Sequence, residues 1–155
     1  VILGAGSWHT GSGAIFKLAS KGISYFTSGS IAVVDVRDVV LAMQGLMNSD
    51  LKNERYILVG ATLSYKEFTK ELALAFDKNP PKKEIAEWKL LLISSIDGLV
   101  SSLFGTKRKL QKANVKSLYT RSNYNAHKIE KALSFSFTPV SQTIKRVASD
   151  YKSEH

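Results

Sequence analysis

At Asp35 the apolar pattern of the chain changes its period. Upstream, Ile31-Ala32-Val33-Val34 is a β-branched run of the kind that forms a buried strand. Downstream, Val36, Val39, Val40, Met43, Leu46 and Met47 recur at helical spacing over roughly 36–48. Asp35 stands at the junction, where its carboxylate can accept from the free amides of a first helical turn. Asp38 falls inside that turn. A strand feeding directly into a capped helix is the building unit of an α/β protein.

The unit recurs. Arg55-Tyr56-Ile57-Leu58-Val59-Gly60 reads as a second buried strand. Ser64-Tyr65-Lys66-Glu67 then reads as a capping box opening a helix to about Phe76, and Asn79-Pro80-Pro81 ends that unit. A long helix is expected from Glu84 to about Phe104, with Ile85, Trp88, Leu92, Ile96, Leu99 and Leu103 on one side and Gly105-Thr106 as its stop. Ser122 or Asn123 opens another helix, ending near Leu133. Pro139 starts the last, to about Tyr151, with Val140, Ile144, Val147 and Tyr151 inward. The chain is thus α/β at its start and increasingly helical towards its end.

The first six residues, Val1-Ile2-Leu3-Gly4-Ala5-Gly6, read as the end of a buried strand running into a glycine loop. A central strand needs neighbours on both sides, so the expectation is the C-terminal part of a longer chain. Residues 1–13 hold four of the ten glycines, around Trp8 and His9, and read as loop. Ala14 to Ala19 reads as a short helix closed by Gly22.

Composition excludes several classes. The chain has no Cys and three scattered His, which argues against disulfides and a zinc site. Trp88 to Phe104 is the longest apolar-leaning stretch, but Lys89, Asp97, Gly98 and four Ser interrupt it, so no membrane span is expected and the default compartment is cytoplasmic. The net charge of +9 is uneven: residues 105–131 carry Lys107, Arg108, Lys109, Lys112, Lys116, Arg121, Lys128 and Lys131 against Glu130. Such a cluster is either a solvated basic face or an anion-binding one. No stacking aromatics are interleaved with Lys107 to Lys116, so nucleic acid ranks low as a partner.

Four stretches together resemble one family. Val33-Val34-Asp35-Val36-Arg37-Asp38-Val39-Val40-Leu41-Ala42 is similar to the strand-to-helix motif of extended short-chain dehydrogenases/reductases, the NAD-dependent epimerase/dehydratase group. Glu54 to Gly60 with Leu63-Ser64-Tyr65-Lys66-Glu67 resembles the strand and capped helix that follow there. Val1 to Gly6 resembles the segment after the catalytic helix, with Gly4-Ala5-Gly6 where Gly-Pro-Gly is usual. Tyr124-Asn125-Ala126-His127-Lys128, Leu133-Ser134-Phe135 and Pro139 resemble the closing helix, its Gly-Phe turn, here with Ser134 for the Gly, and its Pro. Within the family the nearest look is dihydroflavonol-reductase-like and hydroxysteroid-dehydrogenase-like. Nucleotide-sugar members place an Arg before the strand, and Ser28-Gly29-Ser30-Ile31-Ala32 has none.

The resemblance implies that residues 1–155 form the C-terminal substrate-binding region of a Rossmann-like oxidoreductase: a few strands with a mostly helical substrate lobe. NAD or NADP would be used by the intact parent, with no cofactor expected for this fragment alone. The family's acid/base Tyr and its Lys four residues on are not found in place: Tyr65 to Lys70 is too long, and Tyr124 with Lys128 lies in the closing helix, so no catalytic residue is assigned. Val1 and Ile2 are implied to touch the cofactor. Gly4, Gly6, Ser7, Trp8, His9, Ser12 and Trp88 are implied to face a small carbonyl or hydroxyl substrate. Trp8 gives either a stacking face or a loop anchor, and His9 either a donor to a substrate oxygen or an exposed loop side chain. Trp88 and Leu92 would roof the pocket. The expected partners are the missing cofactor-binding part of the same protein and, for the fragment, a second copy of itself. The alternative is a binding or regulatory protein of the same fold without turnover.

Overall fold

Asp35 ends a strand and caps a helix. The computed structural model describes the backbone of residues 1–104 and 112–155, and the side-chain surroundings of residues 1–95 and 114–155. In chain order the elements are β1 (Ile2–Leu3), α1 (Gly11–Lys21), β2 (Tyr25–Phe26), β3 (Ser30–Asp35), α2 (Val36–Met47), β4 (Ala61–Ser64) and α3 (Tyr65–Ala75). There follow β5 (Lys83–Glu84), α4 (Glu87–Phe104), α5 (Lys112–Ser117), α6 (His127–Leu133) and α7 (Val140–Glu154).

The main sheet has the order β1-β3-β4. β1 pairs parallel with β3, Ile2 opposite Val34 and Leu3 opposite Asp35. β4 pairs antiparallel with β3, Val33 opposite Ala61 and Ser30 opposite Ser64. Because side chains alternate across a strand, the sheet sorts its residues into two layers. Leu3, Ile31 and Val33 face one core with Phe16, Phe68, Leu72, Ile144, Val147 and Tyr151, under α1, α3 and α7. Ala32 faces the other, where Leu46 of α2 meets Val59, Ile129 and Leu133. A separate parallel pair, β2 with β5, lies outside this sheet.

Several expectations are corrected. Residues 55–60 form no strand, although their composition is strand-like. Tyr56, Leu58 and Val59 bury themselves against α6 instead of joining a ladder. Pairing begins only where the Gly60 amide donates to the Val33 carbonyl at 2.8 Å, and the strand is Ala61–Ser64. Helix α1 starts at Gly11, inside the stretch read as loop. Helix α4 starts at Glu87, because Lys83–Glu84 is held as a strand by Tyr25–Phe26. Helix α6 starts at His127, where Asn125 Oδ1 accepts from the His127 amide at 2.7 Å. The opening strand is buried on one side only: Leu3 is enclosed, Val1 and Ile2 are exposed. The apolar positions of α2 keep their helical spacing, yet Val36, Val40, Met43 and Met47 are exposed. The inward positions Ile96, Leu99 and Leu103, the stop at Gly105-Thr106 and the cluster's Lys107, Arg108 and Lys109 lie outside the described residues.

Candidate functional site

The carboxyl end of the parallel pair is where an α/β sheet offers a ligand room. Two features meet there. The loop Gly4–Thr10 leaves β1 and enters α1, and Asp35 closes β3 directly opposite Leu3. Two glycines hold the loop close to its neighbours. A Cβ on Gly4 would stand 2.6 Å from Val36 Cγ1, and one on Gly13 would stand 2.1 Å from the Ser7 carbonyl oxygen. Neither position admits a side chain without moving the loop.

Trp8 is the loop's anchor. Its ring is 5% exposed and packs edge-on against Tyr151, with centroids 5.0 Å apart. Its Nε1–H donates to Glu154 Oε2 at 2.5 Å, so the last turn of α7 fixes the loop. With Trp8 turned in, Ser7, His9 and Thr10 are left facing outward. Thr10 Oγ1 donates to Ser7 Oγ at 3.1 Å, and Lys17 Nζ lies 3.0 Å from His9 Nδ1. The loop's hydroxyls and imidazole, with the ammonium of Lys17 from α1, form a set suited to oxygen acceptors. Gly4 and Ser12 are half-buried and Gly6 is exposed within the same loop.

Beneath the loop lies a satisfied polar cluster. Asp35 accepts from the Arg37 amide at 2.8 Å, from Thr143 Oγ1 at 2.8 Å and from Arg146 Nη2 at 2.7 Å. Burial pushes this carboxyl upward. The Arg37 amide, the hydrogen bonds from Arg146 and Thr143, and the Arg146 charge outweigh it, holding Asp35 below the ordinary aspartate value. Asp38 accepts from the Thr138 amide and hydroxyl, both at 2.8 Å. Arg37 itself is exposed. Thr143 and Arg146, one turn apart on α7, were missed in the sequence. The signal available was a polar pair on the inward side of a helix that is otherwise apolar there.

The β1–α1–β3 unit has the right order for a dinucleotide: strand, glycine loop, helix, parallel strand. The start of α1 packs directly on the loop, since a Cβ on Gly13 would have no room against the Ser7 carbonyl. The acidic residue at the end of β3, which would take the ribose, is already committed to Arg146, Thr143 and the cap of α2. With Asp35 so committed, the unit offers a dinucleotide no free carboxylate at the end of β3.

The other assigned residues fall elsewhere. Val1 and Ile2 are exposed, Ile2 on the opposite side of the sheet from Leu3. Trp88 is 59% exposed on α4, lining a shallow groove with Leu91, Leu92 and Ser95; α4 packs chiefly on α5. Tyr124 and Lys128 form no acid/base pair: Lys128 Nζ is bound to Glu54 Oε2 at 2.5 Å and to the Arg55 carbonyl at 3.1 Å. A cation does stand at the approach to β3, brought from far along the chain, because Arg121 Nε donates to the Ser28 carbonyl at 3.2 Å. Among the described residues, no helix is long and apolar enough to cross a membrane, and no three His, Asp or Glu converge as metal ligands.

These features define the chain as mixed α/β, with the fold of the C-terminal portion of Rossmann-like epimerases and short-chain dehydrogenases. The solved structure of gox2253 matches with a TM-score of 0.74 at 15% identity, over 99% of this chain and 47% of that one. PA4631, a nucleoside-diphosphate-sugar epimerase from Pseudomonas aeruginosa, matches with a TM-score of 0.74 at 15% identity, over 99% of this chain and 46% of its own. RMD from Pseudomonas aeruginosa, complexed with NADPH, matches with a TM-score of 0.60 at 15% identity, again over 99% and 46%. The chain thus spans about half the length of the solved structures it matches. No protein-family model matches it. No curated protein matches it in sequence.

Proposed function

We propose that residues 1–155 are the substrate-side part of an NAD(P)-dependent oxidoreductase or epimerase acting on a small carbonyl or hydroxyl substrate. The dinucleotide-binding part is carried by the rest of a longer protein. The observation that carries this reading is the Gly4–Thr10 loop. It stands at the carboxyl end of a parallel strand pair, presents hydroxyl and imidazole groups outward, and lies beside an Asp35 already committed to Thr143 and Arg146. The likeness in fold to an epimerase and to a protein complexed with NADPH supports the same chemistry. On this reading Ser7, His9 and Ser12 meet the substrate oxygens, and Gly4 and Gly6 let the substrate approach the backbone. Trp8 holds the loop, while Trp88 lines its own groove on α4. Val1 and Ile2 offer the cofactor an apolar contact. Without the acid/base Tyr and its Lys, the chain alone is catalytically silent.

The test is calorimetric titration of NAD(H) and NADP(H) into this chain and into the full-length gene product. Binding to the gene product and not to the chain is the expected result. Binding to neither overturns the reading and favours a non-catalytic protein of the same fold. Binding to this chain alone shows that the loop opens to hold the dinucleotide, and overturns the division of labour.

A further inference from the structure

Helix α4 has two sides of different character. On its inner side Ser94 is fully buried, and Leu90 and Leu91 are half-buried. On its outer side Trp88, Leu92 and Ile93 are 59%, 54% and 50% exposed. Trp88 and Leu92, one turn apart, line a shallow groove with Leu91 and Ser95. Lys89 shares that outer side, its ammonium 5.5 Å from the centre of the Trp88 ring. An exposed apolar face of this kind, rimmed by polar groups, marks a contact surface. Among the described residues no helix can cross a membrane, so a lipid-binding helix here would lie along the surface.

Cations frame the face. Lys82 and Lys83 are exposed and lead into α4. Lys82 also borders a hollow with Lys21 and Lys78. Lys116 is exposed on α5, the helix on which α4 packs. The two carboxylates near the start of α4, Glu84 and Glu87, stand by Tyr119, whose hydroxyl donates to the Ile85 carbonyl at 2.7 Å. The same sign continues along the sequence, where residues 105–117 carry Lys107, Arg108, Lys109, Lys112 and Lys116 and no carboxylate.

We propose that the outer side of α4 seats this protein on an anionic lipid surface. Trp88 and Leu92 enter the boundary between headgroups and acyl chains, and Lys82, Lys83, Lys89 and Lys116 meet headgroup phosphates. Each basic residue near such a surface adds to the attraction. Duplex nucleic acid would engage the ammonium groups and leave Trp88, Leu92 and Ile93 in water. An uncharged apolar partner would cover those side chains and leave the ammonium groups unpaired. An anionic bilayer satisfies both sets at once. The inference stands apart from the functional reading above, because it uses none of the residues of the Gly4–Thr10 loop.

The test is flotation of the full-length gene product with vesicles of mixed phosphatidylglycerol and phosphatidylcholine, and with vesicles of phosphatidylcholine alone. Expected is partition onto the anionic vesicles roughly tenfold or more above the neutral ones, weakening as salt rises. Trp88→Ser and Leu92→Ser should each lower that partition by roughly tenfold, and Lys82→Gln with Lys116→Gln should lower it further. All four side chains are exposed, so the fold is spared. Val40→Ser, an equally exposed apolar position on α2, is the reference and should change nothing. No partition onto either vesicle overturns the proposal. Equal partition onto both removes the headgroup contact and overturns it too. Partition lost with Val40→Ser and kept with Trp88→Ser puts the lipid contact on α2 and overturns it. Retention by a short duplex DNA, undiminished by Trp88→Ser and without vesicle partition, makes nucleic acid the occupant instead.

Discussion

Three donors converge on Asp35: the Arg37 amide, the Thr143 hydroxyl and the Arg146 guanidinium. The cap was legible in the sequence because donor and acceptor are two residues apart. The ion pair was not, because Arg146 lies 111 residues away and only the packing of α7 on the sheet brings it in. The carboxyl sits below its ordinary value in the fold, so it binds protons less readily folded than unfolded. Its contribution to stability is therefore complete above the ordinary aspartate pKa of about 3.9, and is lost as pH falls through the lower folded value. Urea midpoints measured from pH 6 downward should fall in that window, and Asp35→Asn should flatten the dependence. Asp35→Ala removes the cap and strands Arg146, at a cost of about 3 kcal/mol in urea denaturation. Ser134 offers the opposite case. It closes α6 in the left-handed region, φ 48°, where the resembling family has Gly. Ser134→Gly should raise stability by about 1 kcal/mol, read as a higher thermal midpoint.

Among the elements, the helices with a chemical start signal were the legible ones. Ser64 Oγ accepts from the Glu67 amide at 3.2 Å, and Glu67 Oε2 accepts from the Ser64 amide at 3.0 Å. Both halves of this box lie within four residues, so sequence alone suffices. Ser64→Ala should cost about 1 kcal/mol by chemical denaturation, and Glu67→Gln much less, since an amide oxygen still accepts. Strands were less legible because a ladder depends on a distant partner. Tyr56 to Val59 has the composition of a strand, but α6 reaches its side chains before any strand reaches its backbone. Ala61-Thr62-Leu63-Ser64 has the weaker pattern and makes the ladder, because it lies opposite Ser30–Val33. The glycine loop was legible as a loop as far as Thr10, where α1 takes over. Its anchoring by Trp8 was left open between two readings, and the partners that decide it, Tyr151 and Glu154, stand near the far end of the chain.

At the scale of the whole molecule, the α/β class and its drift towards helices were legible from the alternation of periods. The two-layer arrangement was not, since it depends on which side of β3 each helix takes. One layer is closed by α1, α3 and α7, while α2 leaves an apolar stripe in the open. The isolated chain should therefore self-associate. Sedimentation velocity at rising concentration should show growing species, and Val40→Glu should shrink them without lowering the thermal midpoint. A single sharp monomer boundary at every concentration, with cooperative unfolding, counts against this. The Trp8–Glu154 bond has a consequence for synthesis. Its partners are 146 residues apart, so the loop is made well before its clamp. At roughly 5–20 residues per second, the ribosome leaves that loop unfastened for on the order of ten seconds. A nascent chain thus exposes its indole to solvent, chaperones and oxidants over that interval, and the loop takes its shape only when Glu154 of α7 has been released.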